Sequence, residues 1–114
     1  MPEMPETPID LATFAELQET AGAEFVTELV STFFEEAPQM LAELRAAHAA
    51  GAADRFRRAA HSLKSNGNTF GASRLGEMAR ELELNGLGVD ATPLAALDAE
   101  YARVAAALKE LCHG

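Results

Sequence analysis

The chain has 114 residues, 48% of them hydrophobic, and a formal net charge of −9. This size suits one domain with one core and excludes two, and the acidic balance excludes the clustered Lys and Arg of a nucleic-acid binder. A single cysteine excludes an intramolecular disulfide. Because the sequence contains neither a signal peptide nor an uncharged apolar run of about 18 residues, we expect a cytoplasmic protein without membrane insertion.

The N-terminal part is predicted to contain a lead and a short helix. Residues 1–9 are expected to be disordered or extended, since three of the first eight are proline. Asp10 is a good N-cap, and apolar residues follow it at a spacing of three, which predicts a helix over residues 11–20. We assign residues 10–114 to a single domain.

Four longer amphipathic helices follow, because apolar residues recur at steps of three and four over residues 24–49, 52–70 and 73–85 and from Thr92 onward. Pro38 is expected to bend the first of these helices without ending it. The connections are short, so successive helices should be antiparallel neighbours. The predicted fold is all-α, an antiparallel up-down-up-down four-helix bundle with a short extra N-terminal helix, and we expect a monomer.

The charge is divided unevenly along the chain. Residues 1–44 contain ten acidic and no basic side chains, residues 45–80 contain seven basic and two acidic ones, and residues 81–114 contain six acidic and two basic ones. A local positive field of this kind steers an oppositely charged partner on approach. The alternative is a solvated helix face with accidental clustering.

The helix predicted over residues 52–70 has a polar stripe on one face, in which steps of three or four residues connect Arg57, His61, Lys64, Ser65 and Asn68. Lys64 and Arg57 lie one turn to either side of His61. Their positive charge favours a neutral, nucleophilic imidazole and a bound phosphoryl group. A lone histidine on a helix surface is more often only solvated, so this pattern leaves both interpretations open.

The segment from His61 to Ala72, HSLKSNGNTFGA, resembles the signature of histidine-containing phosphotransfer (Hpt) domains, approximately H-x-L-K-[GS]-[SN]-[SAG]-x-x-[LFV]-G-[AL]. The flanking residues from Ala59 to Glu83 also fit that family. The resemblance implies that His61 is the phosphoacceptor, that Lys64 is the positive group beside it, and that Ser65 is a small residue beside which a receiver domain docks. The other docking residues that we predict are Arg57, Arg58 and Asn68.

The same resemblance implies a phosphocarrier of a bacterial two-component phosphorelay. His61 would accept a phosphoryl group from a receiver aspartyl phosphate and pass it to another receiver Asp. The partners would be response-regulator receiver domains and an upstream hybrid histidine kinase. The chain has no nucleotide-binding motif, so we expect no autophosphorylation with ATP. We expect no metal or cofactor on the chain itself, and Mg²⁺ in the partner receiver.

Two other classes of function stay open at this point. One is a helical-bundle interaction module without phosphotransfer, and the other is a bundle that binds metal or haem through His61 or His48, although no ligand-type spacing supports it. The initiating Met and Pro-rich lead favour a free-standing carrier over a domain excised from a hybrid sensor kinase.

Overall fold

The computed structural model describes residues 8–88 and 92–113. Its helices are α1 (Leu11–Ala21), α2 (Ala23–Ala50), α3 (Ala53–Thr69), α4 (Ser73–Asn85) and α5 (Thr92–His113), and a short 3-10 turn, Gly86–Gly88, follows α4. The predicted all-α fold is confirmed, and each helix boundary lies within one or two residues of its predicted position. None of the described helices has the length and apolar character needed to cross a membrane.

The helix ends follow local chemistry. The Asp10 carboxylate accepts hydrogen bonds from the amides of Ala12 and Thr13, at 3.1 and 3.4 Å, and so caps α1 as predicted. The helix α2 continues through Pro38, as predicted, while the bend there stays a prediction. Gly51 ends α2 in the left-handed conformation, with a φ of 70°.

The N-terminal lead differs from the prediction at its last residue. Residues 1–7 lie outside the described part of the chain, but Ile9, which was assigned to the lead, is fully buried. The adjacent Asp10 amide donates to the Gly71 carbonyl at 2.8 Å, which fixes the entry to α1 on the turn between α3 and α4. Within the described residues, the hydrophobic core therefore begins at Ile9.

All five helices contribute to one hydrophobic core. The helix α3 contacts both α2 and α4, and α5 contacts both α2 and α4, which closes a four-helix arrangement, while α1 packs on α2. The alternating direction of the helices stays a prediction from their short connections. The largest fully buried side chains are Phe56, Ile9, Leu44, Leu63, Leu75, Leu97, Leu108, Val26 and Val104.

Two glycines allow α3 and α4 to approach closely. Gly67 is buried in α3, where an added Cβ would lie 3.4 Å from Leu75 Cδ2. Gly76 in α4 has the Asn68 side chain over its Cα, so closely that an added Cβ would overlap the amide. This approach brings the exposed edge of α3 beside the exposed edge of α4.

Candidate functional site

His61 lies on the exposed face of α3, where 58% of its side chain is accessible. Its Nδ1 is 2.9 Å from Oε2 of Glu83 on α4. An ionised carboxylate can only accept, so Nδ1 carries the hydrogen of this bond, and in the neutral ring Nε2 then has the free lone pair. Among the described residues, Nε2 has no hydrogen-bond partner. The ring is held at one nitrogen and open to a reactant at the other.

Glu83 connects His61 to Lys64. The Lys64 ammonium donates to Oε1 of Glu83 at 2.9 Å, and both side chains are largely covered, with 25% of Lys64 and 21% of Glu83 accessible. The hydrogen bond from Lys64 lowers the pKa of the Glu83 carboxyl, and the bond from His61 lowers it further, against the opposing effect of burial. Glu83 is thus held in the ionised form that accepts from both neighbours.

The structure gives the two predicted arginines different surroundings. Arg57 donates to Oδ1 of Asp54 at 2.8 Å, so its charge is paired with a carboxylate of the same helix, while its predicted docking role stays a prediction. Arg58 is exposed and has no carboxylate within 4.0 Å among the residues described. Both arginines line a shallow depression beside His61, together with Ser62 and Glu83.

The remaining predicted docking residues are also exposed on α3. Ser65 lies one turn beyond His61, and its carbonyl accepts from the Thr69 hydroxyl at 3.0 Å. Asn68 lies about two turns beyond His61, with its amide over Gly76. Four residues of the predicted stripe, Arg57, His61, Ser65 and Asn68, are therefore exposed, whereas Lys64 is largely covered, and the docking role of the stripe stays a prediction.

Glu83 is the functional candidate to which the sequence assigned no role. Its side chain reaches His61 because α3 and α4 form a helical hairpin. His61 and Glu83 lie at equal distances along the chain from Ala72 in the connecting turn, and so do Asn68 and Gly76, which also touch. In a helical hairpin, residues at equal sequence distances from the connecting turn lie opposite each other. This rule could have identified Glu83 from the sequence as the residue opposite His61.

The other candidate function was a metal or haem site that uses His61 or His48. They contain no group of three or more His, Cys, Asp and Glu side chains that could hold a metal ion. The ring of His48 is half-buried and lies 6.0 Å from the ring of Phe56. Among the histidines whose side chains are described, His61 is the exposed one.

Comparison with known proteins gives one family. A family model described as Hpt domain matches residues 28–113. No curated protein and no solved structure matches the chain. The matched span begins within α2 and includes His61, Lys64 and Glu83.

Proposed function

Because the chain belongs to the Hpt domain family, whose members transfer phosphoryl groups on histidine in phosphorelays, we propose that His61 is its phosphoacceptor. His61 accepts a phosphoryl group from an aspartyl phosphate of one receiver domain and passes it to the Asp of another. The observation that carries the proposal is the asymmetric environment of the ring, with Nδ1 bound to Glu83 and Nε2 open.

The reaction that this geometry supports begins with the neutral ring. The Nε2 lone pair attacks the phosphorus atom in line with the bond to the receiver carboxylate. The N–P bond forms as the P–O bond breaks, and the receiver Asp leaves as a free carboxylate. The ring gains positive charge while Nδ1 keeps its hydrogen. Transfer to the second receiver reverses these steps, with a carboxylate oxygen as the nucleophile.

Glu83 acts on this reaction through His61, as a positioning residue. Its carboxylate fixes the tautomer in which Nε2 is the nucleophile, and its negative charge faces the positive charge that develops on the ring. Lys64 holds that carboxylate in place from its other oxygen, at 2.9 Å. The Lys64 ammonium, one turn from His61, also offers positive charge near an incoming phosphoryl group.

The receiver domain would supply the rest of the machinery. Phosphoryl transfer depends on positioning and charge compensation, usually with Mg²⁺. Acidic side chains of the receiver would hold that ion, so this chain would serve as carrier for receivers and for an upstream hybrid histidine kinase.

Phosphotransfer from a labelled receiver domain tests the proposal. We expect acid-labile, base-stable label on the wild-type chain and on a His48→Gln control, and none on His61→Gln. Retention of the circular dichroism spectrum in His61→Gln would show that the loss is chemical. Label that persists in this variant would contradict the assignment of His61.

A further inference from the structure

We propose that a groove between α2 and α5 binds a basic amphipathic helix of another protein. This α2–α5 groove is lined by Thr27, Val30, Ser31 and Phe34 of α2 and by Lys109 and Cys112 of α5. None of these residues lines the depression beside His61. The inference therefore concerns a second interaction surface and does not depend on phosphotransfer.

The α2–α5 groove lies on the opposite side of the bundle from His61. The four long helices contact one another in the cyclic order α2, α3, α4 and α5, so the α2–α5 pair is opposite the α3–α4 pair. His61 and Glu83 belong to the α3–α4 pair, where Nδ1 and Oε2 are 2.9 Å apart. A helix bound in the groove would thus leave His61 accessible to a receiver domain.

The floor of the groove is apolar and open to a side chain from outside. Val30 is buried and Phe34 is half-buried there, and the cavity has a volume of about 240 Å³. One water occupies ~30 Å³ of the liquid, so the cavity is large enough for a bulky apolar side chain. Helices commonly bind protein grooves through their apolar face, with large side chains as anchors.

Unpaired carboxylates follow the α2 rim of the groove. Glu24, Glu28 and Glu35 are exposed, and each lies one helical turn from a lining residue of α2. None of the three forms an ion pair within the described residues. Charge complementarity therefore favours a partner that places Lys or Arg side chains over this rim.

Lys109 makes the two walls of the groove different. It is the one charged residue that lines the groove within the described chain, and its Nζ lies 5.9 Å from the centroid of the Phe34 ring, in cation–π contact. A helix bound in the groove would therefore direct its cations toward α2 and away from α5. This asymmetry favours one rotation of the bound helix about its own axis.

The charge around the groove also argues against an occupant from this chain. The residues outside the described part, 1–7, 89–91 and 114, contain three acidic residues and no Lys or Arg, so they cannot supply the cations. A second copy is disfavoured because each chain has a net charge of −9 and two such chains repel each other. The occupant is therefore a segment of a different protein.

A nuclear magnetic resonance titration tests the location. The ¹⁵N-labelled wild-type chain is titrated with a synthetic amphipathic peptide of leucine and lysine, and separately with a scrambled peptide of the same composition and a leucine–glutamate peptide of the same pattern. We expect saturable amide shifts with the amphipathic leucine–lysine peptide alone, largest in residues 24–35 and 105–112. Equal binding of either control peptide, largest shifts elsewhere, or no saturable shifts would overturn the inference. Shifts that depend on chain concentration without peptide would assign the groove to a second copy and would overturn it as well.

Charge reversal then tests the α2 rim in the intact chain. We expect Glu28→Lys to weaken binding of the amphipathic leucine–lysine peptide about tenfold, because a cation on the rim repels the peptide. Glu77→Lys makes the same change of net charge at an exposed position of α4 and should leave the affinity nearly unchanged. Equal losses in the two variants would show that net charge alone attracts the peptide, and would overturn the inference. Failure of the proposed function would appear in the phosphotransfer assay and not in these affinities.

Discussion

Two glutamates of the bundle each contact two basic side chains, but they differ in their burial and in how many of their oxygens have a partner. Glu83 is 21% accessible, and its two oxygens are bound separately by Lys64 and His61. Glu100 on α5 is 4% accessible, and Arg103 and Arg74 both approach Oε1, at 3.0 and 3.6 Å. Its Oε2 is buried without a hydrogen-bond partner among the residues described.

The difference separates a carboxylate that can serve a reaction from one that serves packing. Each oxygen of Glu83 has one donor, and one of those donors is an exposed ring that is open on its far side. Glu100 has a buried oxygen without a donor, which is an unfavourable arrangement for a charge. We therefore expect substitutions at Glu83 to change phosphotransfer and substitutions at Glu100 to change folding stability alone.

The largest expected effect is at Glu83. Replacement by Ala removes the acceptor for Nδ1, so the ring loses its fixed tautomer and orientation, and the transfer rate should fall roughly 10- to 100-fold. Glu83→Gln keeps a hydrogen-bond acceptor without the charge, so its transfer rate should fall less. Single-turnover transfer from a phosphorylated receiver measures both rates. Equal, unaltered rates in both variants would remove Glu83 from the mechanism.

The matched change at Glu100 should leave transfer intact. Glu100→Met removes the buried carboxylate with its unpartnered oxygen and leaves no buried charge behind, because Arg74 and Arg103 are 61% and 48% accessible and stay solvated. We expect the free energy of unfolding to fall by about 1 kcal/mol at most, as for the loss of an exposed ion pair, or to rise. Urea denaturation measures it, and the phosphotransfer assay is the control. A large loss of stability would contradict this expectation, because it would show that the ion pairs of Glu100 with Arg74 and Arg103 stabilise the fold strongly.

A smaller effect is expected at Lys64, and it depends on pH. The pKa of Glu83 is lowered in the folded chain, mainly by the hydrogen bond from Lys64. The ionised carboxylate therefore adds to folding stability above its unfolded pKa, and this stability is lost as pH falls through the folded pKa. The acceptor for Nδ1 of His61 is lost over the same pH range. Lys64→Met removes the largest cause, and the pKa of Glu83 should move back toward its ordinary value. The acid limb of the transfer rate should therefore shift to higher pH, which a pH series and carboxyl ¹³C shifts can measure. An acid limb that stays in place would contradict this role of Lys64.

The sequence predicted the features that are determined within a single helix. The exposure of His61, the cap at Asp10 and the buried stripe of α3 follow from local spacing. Glu83 was missed because its role requires the register between α3 and α4, which periodicity within either helix does not contain. The pairing of Arg57 with Asp54 and the burial of Glu100 depend on side-chain choices among several possible partners. Charge counts along the chain do not resolve such choices.

The central claim is that Nε2 of His61 receives the phosphoryl group because Glu83 holds the hydrogen on Nδ1. Long-range ¹H–¹⁵N correlation spectra of the imidazole, recorded before and after phosphorylation by a receiver, test it most directly. The account predicts a hydrogen on Nδ1 in the free chain and phosphorus coupling at Nε2 in the phosphorylated chain, with Glu83→Ala losing the tautomer preference. Phosphorus coupling at Nδ1, or a phosphorylated chain whose His61 ring is unmodified, would contradict it.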